Sequence, residues 1–376
     1  MHRRLEVDAL RGLMLVWMTL THLPTVISVY SYQPIGFISS AEGFIFLSAL
    51  FAGLIYFRIA MREGYSEMRR RLWLRTMRLY GYHALIVGCA LMVLPHVAAG
   101  TNRPGLHNLL DFYFFAGPKR AVVDALLLLY RPPLLDILPM YIIFLGLSPL
   151  VLMLAARVGW RYILGGSVAL WLMAQFGFRQ LAYEGMRHLF GLQIPLNEMG
   201  AFDVWAWQLM WVLGLRCGAR WAQGDLPITE WARKFTIPAA ALAVVLLGLR
   251  FGLSYGDELG RFEPVFDKWH LGVARLMDFA ALAALLVRFQ PFLKRLAVRP
   301  LVLLGQASLP VFCTHVLFCF LGLAIMGNRP VVGGWEELAL PALTLVTLLG
   351  VAKRVVEGKK RAAPLSRPSL ATATLR

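Results

Sequence analysis

Asp8-Ala-Leu-Arg11-Gly-Leu-Met-Leu-Val-Trp-Met-Thr-Leu-Thr-His22-Leu-Pro-Thr-Val-Ile-Ser28 is a mostly apolar run that carries three ionisable side chains. A stretch of about 20 such residues is what a helix needs to cross ~30 Å of hydrocarbon. The preceding Met1-His2-Arg3-Arg4 resembles the basic start of a secretion signal. However, Asp8, Arg11 and His22 make the run too polar for a cleavable signal, and no small-residue cleavage site follows. The run therefore reads as a retained spanning helix.

Working outward, similar stretches recur at 35–57, 79–99, 134–156, 160–178, 201–221, 235–255, 270–288, 300–326 and 335–352, which predicts ten spans. Composition agrees, with 59% hydrophobic and 16% charged residues. Soluble domains carry about a quarter charged residues, so this chain belongs in lipid. The fold class is an all-α polytopic membrane protein, a single bundle with both termini cytoplasmic. The bundle is expected over 1–353, followed by a basic, disordered cytoplasmic tail over 354–376. Outer connections at 100–133 and 179–200 are expected to form a pair of short interfacial helices and a lip over the site.

The net charge of +17 would suggest nucleic acid in a soluble protein, but its distribution does not. With Met1 inside, 26 basic residues fall in inner segments and nine in outer ones. That asymmetry is the positive-inside pattern, and it excludes a nucleic-acid reading. The four cysteines (Cys89, Cys217, Cys313 and Cys319) sit in or beside apolar runs without metal-ligand spacing, so they read as small core residues. No metal motif, phosphate loop or Gly-x-Ser-x-Gly elbow occurs, and no internal repeat suggests the halves of a transporter.

Ionisable groups at membrane depth are costly, which makes each a candidate functional residue. Arg11 and His22 are eleven positions apart, and eleven steps of ~100° bring them back to one helix face. Asp8 lies one turn earlier on that face. Arg11 is then near the cytoplasmic side and His22 in the outer half. The ten-span topology brings Glu42, Asp136, Gln208, Arg250, Arg275, Asp278 and His315 to a similar outer depth, with Arg275 and Asp278 spaced as an i,i+3 pair. These groups are expected to converge on one outward-facing polar cavity. On the inner side, Arg69-Arg70-Arg71, Arg75 and Arg78 form a cluster suited to a phosphorylated donor, because arginine grips phosphate with a bidentate fork. An outer histidine can act as general base on a sugar hydroxyl, with Glu42 or Asp136 fixing its tautomer. Gln208 or an arginine could steady the oxyanion.

Asp8-Ala-Leu-Arg-Gly-Leu followed by His22 resembles the Arg-x10-His opening of the membrane acyltransferase-3 superfamily. Glu42-Gly-Phe-Ile-Phe-Leu-Ser-Ala-Leu, the Arg69–Arg78 stretch and Leu304-Gly-Gln-Ala-Ser-Leu-Pro-Val-Phe-Cys-Thr-His315 resemble its second helix, its Arg-rich approach to the third, and its late Gly…Ser…His helix. Ala41-Glu42-Gly43, Asp136-Ile-Leu-Pro-Met-Tyr141 and Phe202 to Leu213 with Trp207-Gln208 are most similar to the OpgC family. The second-helix motif ends Ser48-Ala49 where many superfamily members have Ser-Gly.

The resemblance implies ten helices in a bacterial inner membrane. It also implies transfer of an acyl group, succinyl in OpgC relatives, from cytoplasmic acyl-CoA to osmoregulated periplasmic glucans, with no permanently bound cofactor. By this resemblance His22 is base or acyl acceptor, and His315, Glu42 and Asp136 orient the acceptor or tune His22. Arg11, Arg75 and Arg78 serve the CoA donor, and Gln208, Arg250, Arg275 and Asp278 are left for substrate. Two rivals follow from the same residues: an O- or N-acetyltransferase of another envelope glycan, and a glycan transporter or flippase. Oligomeric state is not readable from the sequence.

Overall fold

In the computed structural model, which describes residues 5–99, 103–224, 228–252 and 262–362, the first helix stops where the sequence places its histidine. Helix α1 (Leu5–His22) ends because Pro24 has no N–H to donate and cannot continue the ladder. The short α2 (Val26–Ser31) then turns aside, so the run expected as one span over 8–28 is two helices. His22 is thus the last residue of a helix.

The chain continues through α3 (Ser40–Glu63), α4 (Tyr65–Ala99), the short α5 to α7 (Pro104–Leu109, Asp111–Ala116, Pro118–Leu126), α8 (Ile137–Val158), α9 (Trp160–Gln175) and α10 (Phe178–Phe190). After a 3-10 turn at Leu196–Met199 come α11 (Val204–Ala222), α12 (Ile228–Lys234), α13 (Thr236–Gly252) and α14 (Glu263–Phe266). The last are α15 (Val273–Arg288), α16 (Gln290–Arg295), α17 (Arg299–Gln306), α18 (Ser308–Met326) and α19 (Glu336–Ala362). There is no strand among the described residues.

Five helices are long and apolar enough to cross a membrane: α3, α4, α8, α18 and α19. The other five expected spans fall on α1, α9, α11, α13 and α15, which are shorter or more polar. The expected 300–326 span is broken at Ala307, because Pro310 leaves the Gln306 carbonyl without its helical donor. Lys359 Nζ approaches that carbonyl at 3.5 Å. Helix α19 runs on to Ala362, so residues 354–362, expected in a disordered tail, are helical; 363–376 lie outside the described residues. The 100–133 connection holds three short helices rather than two, and the 179–200 lip is mostly helix α10.

Two close crossings fix the geometry around the site. A Cβ on Gly305 of α17 would overlap the Asp8 carbonyl of α1, and one on Gly12 would overlap the Leu301 carbonyl, so these backbones touch. Gly214 and Gly218, one turn apart on α11, press likewise against Phe46 to Leu54 of α3. In lipid, such small-residue contacts supply packing that apolar burial cannot.

Candidate active site

Helix α18 sets the orientation of one histidine and α1 presents the other. His315 Nδ1 lies 3.0 Å from the Phe312 carbonyl, and its Nε2 lies 3.3 Å from His22 Nδ1. A carbonyl can only accept, so in neutral rings the proton sits on His315 Nδ1 and the His315 Nε2 lone pair receives the proton on His22 Nδ1. That leaves the His22 Nε2 lone pair for another partner, and this atom makes no hydrogen bond among the described residues. His315 is buried and His22 only partly so.

The two carboxylates expected to fix this tautomer are engaged elsewhere. Glu42 completes the cap of its own helix, accepting from Ser39 N at 2.9 Å and Ser39 Oγ at 2.7 Å. Its other oxygen takes Arg275 Nε at 2.8 Å and an ion pair with Arg275 Nη2, both side chains fully buried. Asp136 stands at the start of α8 and accepts from Ala201 N at 3.3 Å. The i,i+3 pair expected between Arg275 and Asp278 is not formed, because Asp278 accepts from Phe37 N at 2.6 Å. The sequence could not reveal that Arg275 has a better partner on another helix.

Gln208 is also spent within the scaffold. It donates to the Ser167 carbonyl at 2.8 Å and accepts from Ser167 Oγ at 2.6 Å, tying α11 to α9. Arg250 lines a shallow hollow of about 450 Å³ with Thr21, Ser28, Val29 and Tyr32. Thr21 precedes His22 at the end of α1, so the hollow lies at the same end of that helix.

Arg11, Arg75 and Arg78 do come together. With Lys359 and Arg71, the latter ion-paired to Glu63 and Glu67, they line a cavity of about 600 Å³ with no acidic residue among its described lining. Arg11 donates to Ser308 Oγ at 2.7 Å, just past the α17–α18 break. Arg75 donates to Tyr141 Oη at 3.0 Å and lies over the Tyr56 ring. The inner reach of the cavity is aromatic: Phe44 stacks on Phe312 at 6.3 Å, and Phe312 lies 5.2 Å from the His315 ring. The cation-rich hollow and the histidine pair are thus separated by a single aromatic layer.

Several residues here were not found from the sequence. Lys359 was expected in a tail, Ser308 and Tyr141 lay in quoted motifs without being given a role, and Tyr56 carries no charge to draw notice. Lys268 was counted among outer loop charges, yet its Nζ sits among the rings of Trp269, Tyr32 and Phe202 at 4.9, 5.3 and 5.9 Å. No periodicity connects residues so distant in the chain.

Fold and site define a class, an α-helical membrane protein with a cation-rich cavity on one side of a histidine pair. The sequence matches the family described as OpgC protein over residues 3–360, nearly its whole length, and the chain belongs to that family. Membership points to a role in modifying osmoregulated periplasmic glucans, and to a transferase. No curated protein and no solved structure matches the chain.

Proposed function

We propose that the protein is an inner-membrane O-acyltransferase that moves an acyl group, succinyl in this reading, from cytoplasmic acyl-CoA to hydroxyls of periplasmic glucan. One observation carries the proposal. A backbone carbonyl, His315 and His22 form a chain whose last nitrogen is open, and this chain lies one aromatic layer beyond a cavity lined by five cations.

In this reading, the donor's phosphates lie against Arg71, Arg75, Arg78 and Lys359, where bidentate guanidinium contacts hold them. Arg11 stands deeper, at the helix break. The pantetheine arm passes Phe44 and Phe312 and brings the thioester to His22. The glucan reaches the same point from the hollow of Thr21, Tyr32 and Arg250. His22 Nε2 takes the proton of a glucan hydroxyl as its oxygen attacks the thioester carbonyl. The tetrahedral adduct collapses, the C–S bond breaks, and the thiolate leaves with the proton that His22 returns. His315 keeps the His22 proton on Nδ1, so the lone pair faces the reaction. The Glu42–Arg275 pair fixes the start of α3 against α15, and Asp136 steadies the acceptor side.

General-base help of this kind contributes roughly 10²–10⁴-fold. His22→Ala is therefore expected to abolish acylation in a strain lacking the native gene, with the variant present in the membrane at normal level. Mass spectrometry of the periplasmic glucans reads the result. Glucans acylated to the wild-type extent by the variant would sink the assignment.

A further inference from the structure

The turn Asp267-Lys268-Trp269-His270-Leu271 is tied down at every carbonyl from 268 to 271. Trp207 Nε1 donates to Lys268 O at 3.2 Å and to Trp269 O at 3.1 Å. Asp203 N donates to Trp269 O at 3.0 Å, Gln175 Nε2 to His270 O at 2.6 Å, and Trp171 Nε1 to Leu271 O at 2.9 Å. The Asp267 carboxylate accepts from the N–H groups of Trp269 at 2.9 Å and His270 at 3.0 Å. Leu271 is held at φ 51°, in the left-handed region that a branched side chain rarely enters. Two helices, α9 and α11, thus spend three long side chains on fixing five residues of chain.

What this turn presents is Lys268. Its ammonium makes no hydrogen bond or ion pair among the described residues, and ring faces of Trp269, Tyr32 and Phe202 surround it. Burial lowers its pKa from the usual lysine value, while the nearby Glu42 and Asp136 charges oppose that shift. Both carboxylates are already engaged, Glu42 by Arg275 and Ser39, and Asp136 by Ala201 N. Lys268 also lies within electrostatic reach of His22. A cation held by ring faces keeps its three N–H donors for a ligand. The other two cations that could have served are less suited: Arg275 is fully buried in its pair with Glu42, and Arg250 lines the shallow outer hollow.

We propose that Lys268 binds the distal carboxylate of the transferred acyl group, so that the site selects a dicarboxylic acyl donor over a simple one. The proposal rests on the acyltransfer reading above. A four-carbon diacid carries its second carboxylate only a few bonds from the reacting carbonyl. A cation fixed by this turn within electrostatic reach of His22 reads the second charge of the diacid, and an acetyl group leaves the ammonium unpaired.

The test compares succinyl-CoA with acetyl-CoA as donors to purified glucan, using the full-length protein in detergent. Lys268→Gln is expected to lower the succinyl-to-acetyl ratio of kcat/KM by about 100-fold, chiefly through the succinyl KM, and Lys268→Arg to restore most of it. A second measurement needs no variant. For the wild-type protein, succinyl-CoA with its free carboxylate masked as a methyl ester is expected to be as poor a donor as acetyl-CoA. An unmoved ratio with both rates falling together, or an ester as good as the free acid, overturns the role of Lys268 and leaves acyl transfer standing. A wild-type protein that transfers neither group overturns acyl transfer itself, and this proposal with it.

Discussion

His22 and His315 are 293 residues apart in the chain, and their 3.3 Å contact gives each ring one task. His315 spends one nitrogen on a carbonyl and the other on its partner, so in the proposed mechanism it positions and His22 reacts. His315→Ala is expected to lower kcat about 100-fold with the donor KM unchanged, because the His22 tautomer is no longer enforced. The pH profile of kcat should shift with it, which a merely structural loss would not produce. The Glu42–Arg275 pair makes a contrasting prediction. Removing Arg275 alone strands a fully buried carboxylate, so Arg275→Met should cost roughly 3–5 kcal/mol. Arg275→Met with Glu42→Gln should recover part of that, as read by thermal unfolding in detergent. At Lys268 the sign with pH is also fixed, since its ammonium loses its proton as pH rises through a value below the ordinary lysine one. The groups acting on it are Glu42, Asp136 and Arg275. Succinyl preference should therefore fade at alkaline pH in the wild type and persist in Lys268→Arg. At this scale the sequence singled out the residues the structure brings together: His22 and His315, which stand out in apolar runs, and Arg11, Arg75 and Arg78, of which the last two belong to an arginine-rich stretch. It was not readable for the partners of Glu42, Asp136, Gln208 and Arg275, since pairing across helices leaves no mark on spacing.

At the scale of the elements, the site depends on where helices stop. Pro24 ends α1 at His22, and Pro310 breaks α17 from α18 so that Ser308 meets Arg11. Both prolines were visible in the sequence. The apolar runs continue through them, however, so hydropathy averaged over a span conceals the breaks. By length and composition five of the ten expected spans stand out as helices able to cross a membrane, and the others fall on the shorter or more polar α1, α9, α11, α13 and α15. The α1–α17 crossing is the most exacting contact, because Gly305 has the Asp8 carbonyl where a Cβ would stand. Gly305→Leu should force these helices apart and cost about 1–3 kcal/mol or more. It should also lower activity, since Arg11 and Ser308 flank the same crossing. Gly81→Leu, at a position with open space around it, should do neither, and thermal melting with an activity assay on both variants decides the matter.

Across the whole molecule, the basic cavity and the histidine pair lie on opposite sides of one aromatic layer, the arrangement that the proposed transfer uses. The start of α1 and the end of α19 meet at the basic side, where Arg11 and Lys359 flank the α17–α18 break. The charge asymmetry of the loops was legible from sequence alone, whereas the cavity needed the α19 helix to carry Lys359 back to it. Arg75→Ala with Arg78→Ala should raise the donor KM at least ~10-fold while leaving kcat within a few-fold, because these contacts bind the ground and transition states alike. Wild-type donor affinity should also weaken with added salt more than that of the double variant. The most direct measurement of the central claim is transfer of labelled succinyl from succinyl-CoA to purified glucan by the protein reconstituted in sealed vesicles, with donor and acceptor on opposite sides. The account predicts labelled glucan with the wild type and none with His22→Ala; equal labelling by the two, or none by either, would contradict it.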